Sequence, residues 1–170
     1  NRAYVDLTRQ EVADNYVLAG YGQMGLDTPV LMADIAVGVW QTLPMDVNLL
    51  ASPKFVTQNT TNNSMAFDIE GIWNLSLKIS LTFDEVNAGR TLQLRFYNIT
   101  TATAGLVVFV EGVGRNTSVG GFSFSVIYQS LEINSGDEIV LQISGLDIFT
   151  TVTSVGSVWG SSHVSEAKFL

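Results

Sequence analysis

The chain contains no cysteine and only one histidine, His163. The first absence excludes a disulfide-stapled module and any thiolate metal site. The second leaves His/Cys zinc spacing without ligands, and a Ser-His-Asp triad would have a single base to draw on. Charge is also scarce. Charged residues make up 14% of the 170, and eight of them are Lys or Arg. Those eight are scattered through a chain of net charge −8, which argues against nucleic-acid binding, where cations must cluster against phosphates. No apolar run is long enough to span a bilayer, so no membrane insertion is expected, and no basic–apolar–small leader pattern is present. The chain starts at Asn1 without an initiator Met and reads as a piece of a longer protein.

What is present is a 46% hydrophobic composition, enough for one compact domain with a core. From about Val37 onward Val, Ile, Thr, Phe and Ser dominate, in short alternating runs separated by turn residues. That pattern predicts an all-β sandwich or barrel. Expected strands are Ile35–Thr42, Lys54–Thr57, Ser64–Ile69, Ile72–Phe83, Thr91–Tyr97, Leu106–Glu111, Phe122–Ile133, Glu138–Ile143 and Val164–Leu170. The longest shows the pattern most clearly. In "FDIEGIWNLSLKISLTF", Trp73, Leu75, Leu77, Ile79 and Leu81 share one face, and Asn74, Ser76, Lys78 and Ser80 the other. Residues 1–34 are Gly-rich and apolar without clean alternation, and are expected to form a connector ahead of a 35–170 head domain.

Several stretches resemble the C1q/TNF-like jelly roll. "FDIEGIW" is similar to the family's turn into its long central strand. "SLEINSGDEIVLQISG" resembles its "L-x-x-G-D-E-V-x-L" hairpin, "TLQLRFYN" an intervening strand, and "HVSEAKFL" its closing strand. Ala167-Lys168 depart from the usual small residues there. The resemblance runs in order from Ile35 to Leu170 and implies an antiparallel jelly-roll β-sandwich that assembles as a homotrimer. "GLVVFVEG" and "FSFSVIYQS" are apolar on both faces in part, as strands buried on two sides would be. "YGQMGLDTPV…DIAVGVWQT" resembles segments that precede the receptor-binding domains of tailed-phage fibres.

Chemistry is sparse. No G-x-S-x-G elbow presents a nucleophile. The pairs Asp84-Glu85 and Asp137-Glu138 are each adjacent in sequence, so their side chains diverge in extended chain, which does not suit a two-carboxylate hydrolase; the turn position explains Asp137-Glu138, and the loop holding Asp84-Glu85 would suit a metal or a partner. A calcium ion held by carboxylates and carbonyls remains open at either pair. Five Asn-x-Ser/Thr triplets, at Asn59, Asn62, Asn74, Asn98 and Asn116, read as by-products of an Asn- and Thr-rich surface. No enzyme activity, cofactor or catalytic residue is expected.

The expected function is receptor recognition at the tip of a trimeric phage tail fibre. The domain would be extracellular, on the virion, and bind a host cell-surface glycan or outer-membrane protein. A structural capping module of a fibre and an extracellular C1q/TNF-like ligand are the alternatives. The resemblance implies that "FDIEG", "NITTATAG" and "NSGD" face the stalk. It implies that "DEVNAGR", "GVGRNTSVGG" and "GLDIFTTVTSVGSVWGSSH" form loops at the far end. Candidate receptor contacts there are Asp84, Arg90, Arg115, Asn116, Phe149 and Trp159, the two aromatics as stacking or anchoring groups.

Overall fold

A computed structural model describes residues 20–51, 55–83, 90–112, 120–125 and 129–164, with backbone alone for 90, 109–112 and 120–125. Strands β1 to β5 are Tyr21–Gly25, Val30–Leu31, Gln41–Thr42, Val47–Ala51 and Val56–Asn59. Strands β6 to β10 are Ser64–Phe67, Gly71–Phe83, Arg90–Asn98, Thr103–Ala104 and Val108–Gly112. Strands β11 to β15 are Gly120–Ser125, Gln129–Ile133, Glu138–Gly145, Thr153–Ser154 and Val158–His163. No helix occurs among the described residues.

The strands form two antiparallel sheets. The first runs β2-β14-β7-β15-β1-β4, with β11 and β12 on the other side of β7. The second runs β10-β8-β13-β6-β5, with β3 beside β13 and β9 beside β8. Strand β7 organises the first sheet, and its burial alternates as its sequence does: Trp73, Leu75, Leu77, Ile79, Leu81 and Phe83 all point into the core. Facing them from the second sheet are Leu92, Leu94, Phe96, Ile139, Leu141 and Ile143. Each strand has one apolar face because the core lies on one side of each sheet.

The boundary at residue 34 does not hold. β1 lies between β15 and β4, and β2 pairs with β14, so residues 20–34 belong to the sandwich. The inward positions are Gly20, Gly22, Met24 and Leu26, all buried. Alternation is therefore present, but its first two inward residues are glycines. A Cβ at Gly20 would lie 2.6 Å from the Trp73 ring, and one at Gly22 would lie 2.6 Å from Val56 and 2.8 Å from the Met65 sulfur. The core residues come too close for any side chain there. Residues 1–19 lie outside the described residues.

The last strand also differs from expectation. "GLDIFTTVTSVGSVWGSSH" is not a loop: it contains β14 and β15, and β15 sits between β7 and β1 in the body of the first sheet. Among the described residues the last strand is β15, whose buried inward residue Trp159 lies in its middle. It is poor in apolar residues because its other buried inward position is Ser161, whose hydroxyl lies 3.4 Å from the Gly22 carbonyl oxygen. The expected strand Val164–Leu170 falls outside the described residues beyond Val164. Ile35–Thr42 reduces to the isolated bridges Ile35↔Phe149 and Val37↔Gly145 plus β3, with Gly38 turning at φ 72° between them. Within Phe122–Ile133, β11 and β12 both pair with β7, and 126–128 lie outside the described residues.

Candidate functional site: the two poles of the sandwich

The register sorts the connections to two ends. At one pole β7 begins, β12 ends, β8 ends and β13 begins. The turns 67–71, 98–105 and 134–137 meet there. Gly136 donates to the Phe67 carbonyl (2.7 Å), Ser135 Oγ to the Asp68 carbonyl (2.8 Å), and Ile99 to the Glu138 carbonyl (2.9 Å). Both described ends of the chain emerge at this same pole, with His163 N–H donating to the Gly20 carbonyl (2.7 Å) and Val164 N–H to Ile72 (2.8 Å). It is called proximal here.

At the opposite, distal pole β7 and β10 end and β8 and β11 begin, Phe83 opposite Gly120 and Arg90 opposite Gly112. The segment after β13 is pinned to β8: Leu146 donates to the Thr91 carbonyl (3.0 Å), and the Asp147 carboxylate accepts from Thr91 N–H (3.0 Å). Thr151 has φ 51°, a left-handed conformation that a β-branched residue resists, and its N–H donates to Asp34 Oδ1 (3.2 Å). Around this pole Leu31, Val37, Val39, Leu146 and Ile148 are each between 47% and 68% exposed. Val37 bridges to Gly145 and Leu31 pairs with Thr153, so these residues come to one end of the sandwich from two segments, 31–39 and 146–148. A cluster of large apolar groups in water marks a contact surface more often than isolated ones do.

The expected contact residues fare differently. Phe149 is 1% exposed and packs edge-on to Phe83 at 5.3 Å, and Trp159 is wholly buried, 5.5 Å from Phe96. Neither ring reaches the surface, so neither can stack on a sugar or anchor a partner. β15 carries Trp159 inward opposite Met24 and Leu77, and the Ile35 bridge draws Phe149 into the core. Arg90 opens β8 at the distal pole, with only its backbone described. Asp84, Arg115 and Asn116 lie outside the described residues, in segments 84–89 and 113–119, whose flanking strands all end at the distal pole.

His163 lies at the proximal pole, its ring 5.0 Å from Trp73 and packed against Gly71, where a Cβ would come 2.4 Å from Nε2. Glu70, Ile72, Leu131, Glu132 and Val164 complete a cavity of about 590 Å³ around it. Ser130 also lines it, and its hydroxyl donates to Asn74 Oδ1 at 2.7 Å. Among the described residues no group of three or more His, Cys, Asp or Glu is placed to hold a metal. Asp137 is instead buried in its turn, accepting from Asn134 N–H at 2.9 Å, and Glu138 accepts from the Ser64 hydroxyl and from Asn62.

Two polar features were not read from the sequence. The exposed Asp46 carboxylate accepts from Asp27 N–H (2.7 Å) and Thr28 N–H (3.0 Å). The Asp27 bond above all holds its pKa below the ordinary 3.8, against an opposing effect of burial. Arg95 on β8 stacks between Trp40 and Tyr97, and burial pulls its pKa below the ordinary arginine value while the Tyr97 phenol opposes the shift. The first is a carboxylate 19 residues from its donor, the second an aromatic 55 residues from its cation, so no local motif signals either.

No family model and no curated protein matches the chain. Among solved structures it is similar to the globular domain of zebrafish complement 1qA protein, with a TM-score of 0.53 at 8% identity. The match covers 86% of this chain and 97% of that one. The chain therefore has the C1q-like jelly-roll fold.

Proposed function

We propose that this domain is the non-enzymatic receptor-recognition head of a trimeric fibre, the tip of a phage tail fibre, which attaches the virion to a host cell surface through its distal pole. The observation that carries the reading is the meeting of Gly20 and Val164 at the proximal pole. Both ends of the described chain stand at that pole, and the opposite pole carries exposed apolar side chains and the ends of four strands. Rigid scaffolds present variable loops for recognition in this way.

The trimer is supported by surfaces that suit close packing. Leu106 and Val107 are 75% and 38% exposed in the protomer. The outward face of β1, β15 and β7 carries Tyr21, Gln23, Gly160, Ser162, Asn74 and Ser76, a largely uncharged surface with Lys78 farther along β7. Three heads on one stalk convert weak single contacts into firm attachment.

Two measurements test the reading. Sedimentation should give three times the 18.4 kDa protomer. Labelled protein should bind intact cells in a panel of bacteria, with extracted polysaccharide or outer-membrane protein competing. A monomer removes the avidity argument. A trimer that binds no cell is a structural cap, and steady release of reducing ends from bound polysaccharide would make the domain an enzyme.

A further inference from the structure

Arg95 lies in the middle of β8, between buried Leu94 and Phe96, so its side chain leaves the outer face of the second sheet. Three groups hold it. The guanidinium carbon stands 4.0 Å from the centroid of the Trp40 ring and 4.8 Å from that of Tyr97, and Nε donates to Gln142 Oε1 at 2.8 Å. Gln142 is its cross-strand neighbour, and Trp40 arrives from the segment leading into β3, which pairs with β13 at Gln142.

The terminal nitrogens are what remain. Among the described residues they have no acceptor and no carboxylate partner, although the chain holds 16 acidic residues against 8 basic ones. A surface arginine kept only for sheet stability would find a carboxylate easily in so acidic a chain. Here two rings and an amide fix the plane of the fork and leave its donor edge open. A guanidinium fixed in that way meets a carboxylate with two parallel hydrogen bonds and loses little freedom in doing so. In the next outward row of β13, Ser144 is wholly buried with its hydroxyl unpartnered, opposite Gln93.

We propose that Arg95, clamped between Trp40 and Tyr97, binds the carboxylate of an acidic sugar, such as a uronic acid in a surface polysaccharide. The surroundings favour a sugar over an acidic peptide. β8 and β13 are interior strands with both edges paired, so no backbone is free to add a peptide strand. The neighbouring groups are the neutral amides of Gln93 and Gln142 and the hydroxyl of Thr42, which suit sugar hydroxyls. One exposed charge pair binds weakly, and salt screens it, so attachment through this site depends on several copies acting together. The proposal rests on the recognition reading and adds to the distal pole a second contact, on the outer face of the second sheet, that sets the class of receptor.

The test uses the whole chain and oligosaccharides of glucuronic acid, with carboxyl-reduced oligosaccharides of the same length as the neutral probe and a poly-glutamate peptide as the third. At low salt the acidic sugar should bind at least about tenfold more tightly than the reduced one. Arg95→Gln and Arg95→Lys should both remove that difference while the melting temperature stays near the parent's. Should either variant fold poorly, the ¹⁵Nε signal of Arg95 in the unaltered protein is followed instead, and it should shift with glucuronate oligomer and not with the reduced form. Equal binding of acidic and reduced sugars, an unmoved Arg95 signal, or unchanged affinity in Arg95→Gln overturns the proposal. Tighter binding of poly-glutamate overturns the assignment to sugar. Cell binding that survives Arg95→Gln leaves the recognition reading standing and this site refuted, whereas sugar binding without attachment to any cell does the reverse.

Discussion

The proximal and distal poles are built from the same kinds of strand end, yet they are finished differently. Proximal turns are closed by their own polar side chains. Asn98 Oδ1 accepts from Thr100 and Thr101 N–H at 3.0 and 3.1 Å, the Thr100 hydroxyl accepts from Glu138 N–H at 3.0 Å, and Asp137 caps its own turn. Apolar exposure there falls at Ile72 and Val164, beside the two ends of the described chain, and at Ile99 in the 98–105 turn. At the distal pole, Asp147 and Asp34 hold the backbone in place and leave Val37, Val39 and Leu146 about half exposed, away from both ends of the described chain. Apolar exposure remote from the described chain ends therefore points more directly to a contact surface than exposure beside them.

The comparison can be broken most forcefully from the core that both poles share. Trp159→Ala should cost about 3–5 kcal/mol in denaturant unfolding, the range for emptying a buried aromatic site. If that variant instead kept its stability and lost only receptor binding, Trp159 would be a surface contact and the orientation of β15 would be wrong. The next effect is proximal. Asp137→Ala removes the buried carboxylate that accepts from Asn134 N–H and should cost about 1–3 kcal/mol, with affinity per folded molecule unchanged. A loss of binding in the folded fraction would put recognition at the proximal pole.

The distal change is smaller in stability and larger in function. Val37→Ser combined with Leu146→Ser should leave unfolding free energy within about 0.5 kcal/mol of the parent, because both side chains are already in water. Cell binding should fall about tenfold or more. The smallest effect lies away from both poles. The depressed pKa of Asp46 means its contribution to stability is present above the unfolded value and is lost as pH falls through the lower folded value. The stability gap between the parent and Asp46→Asn should therefore close below about pH 4, read from unfolding curves at stepped pH. A gap that widened in acid would reverse the sign of that shift.

Much of the sandwich could be read without coordinates where a strand's alternation is written in large residues. β7, β8 and β13 appear within one or two residues of their expected spans, and the sorting of "FDIEG", "NITTATAG" and "NSGD" to a common end follows from strand order. The same reading failed where inward positions are Gly or Ser. β1 was taken for a connector and β15 for a loop, although both alternate in burial. Of the site, Arg90 was placed at the correct end of its strand, while Phe149 and Trp159 were placed outside because they follow glycines and threonines in a stretch that looks like loop.

By itself, then, the sequence determined the fold class, the two faces of the long strands and the scarcity of catalytic groups, because periodicity and composition are local properties of the chain. Only the tertiary structure decided which glycines are core positions, that the two aromatics of the last third point inward, and that Trp40, Arg95 and Gln142 meet on one face. Each of those depends on a partner brought from a distant strand, and in an antiparallel sandwich the neighbour of a strand is set by pairing across the sheet rather than by order along the chain.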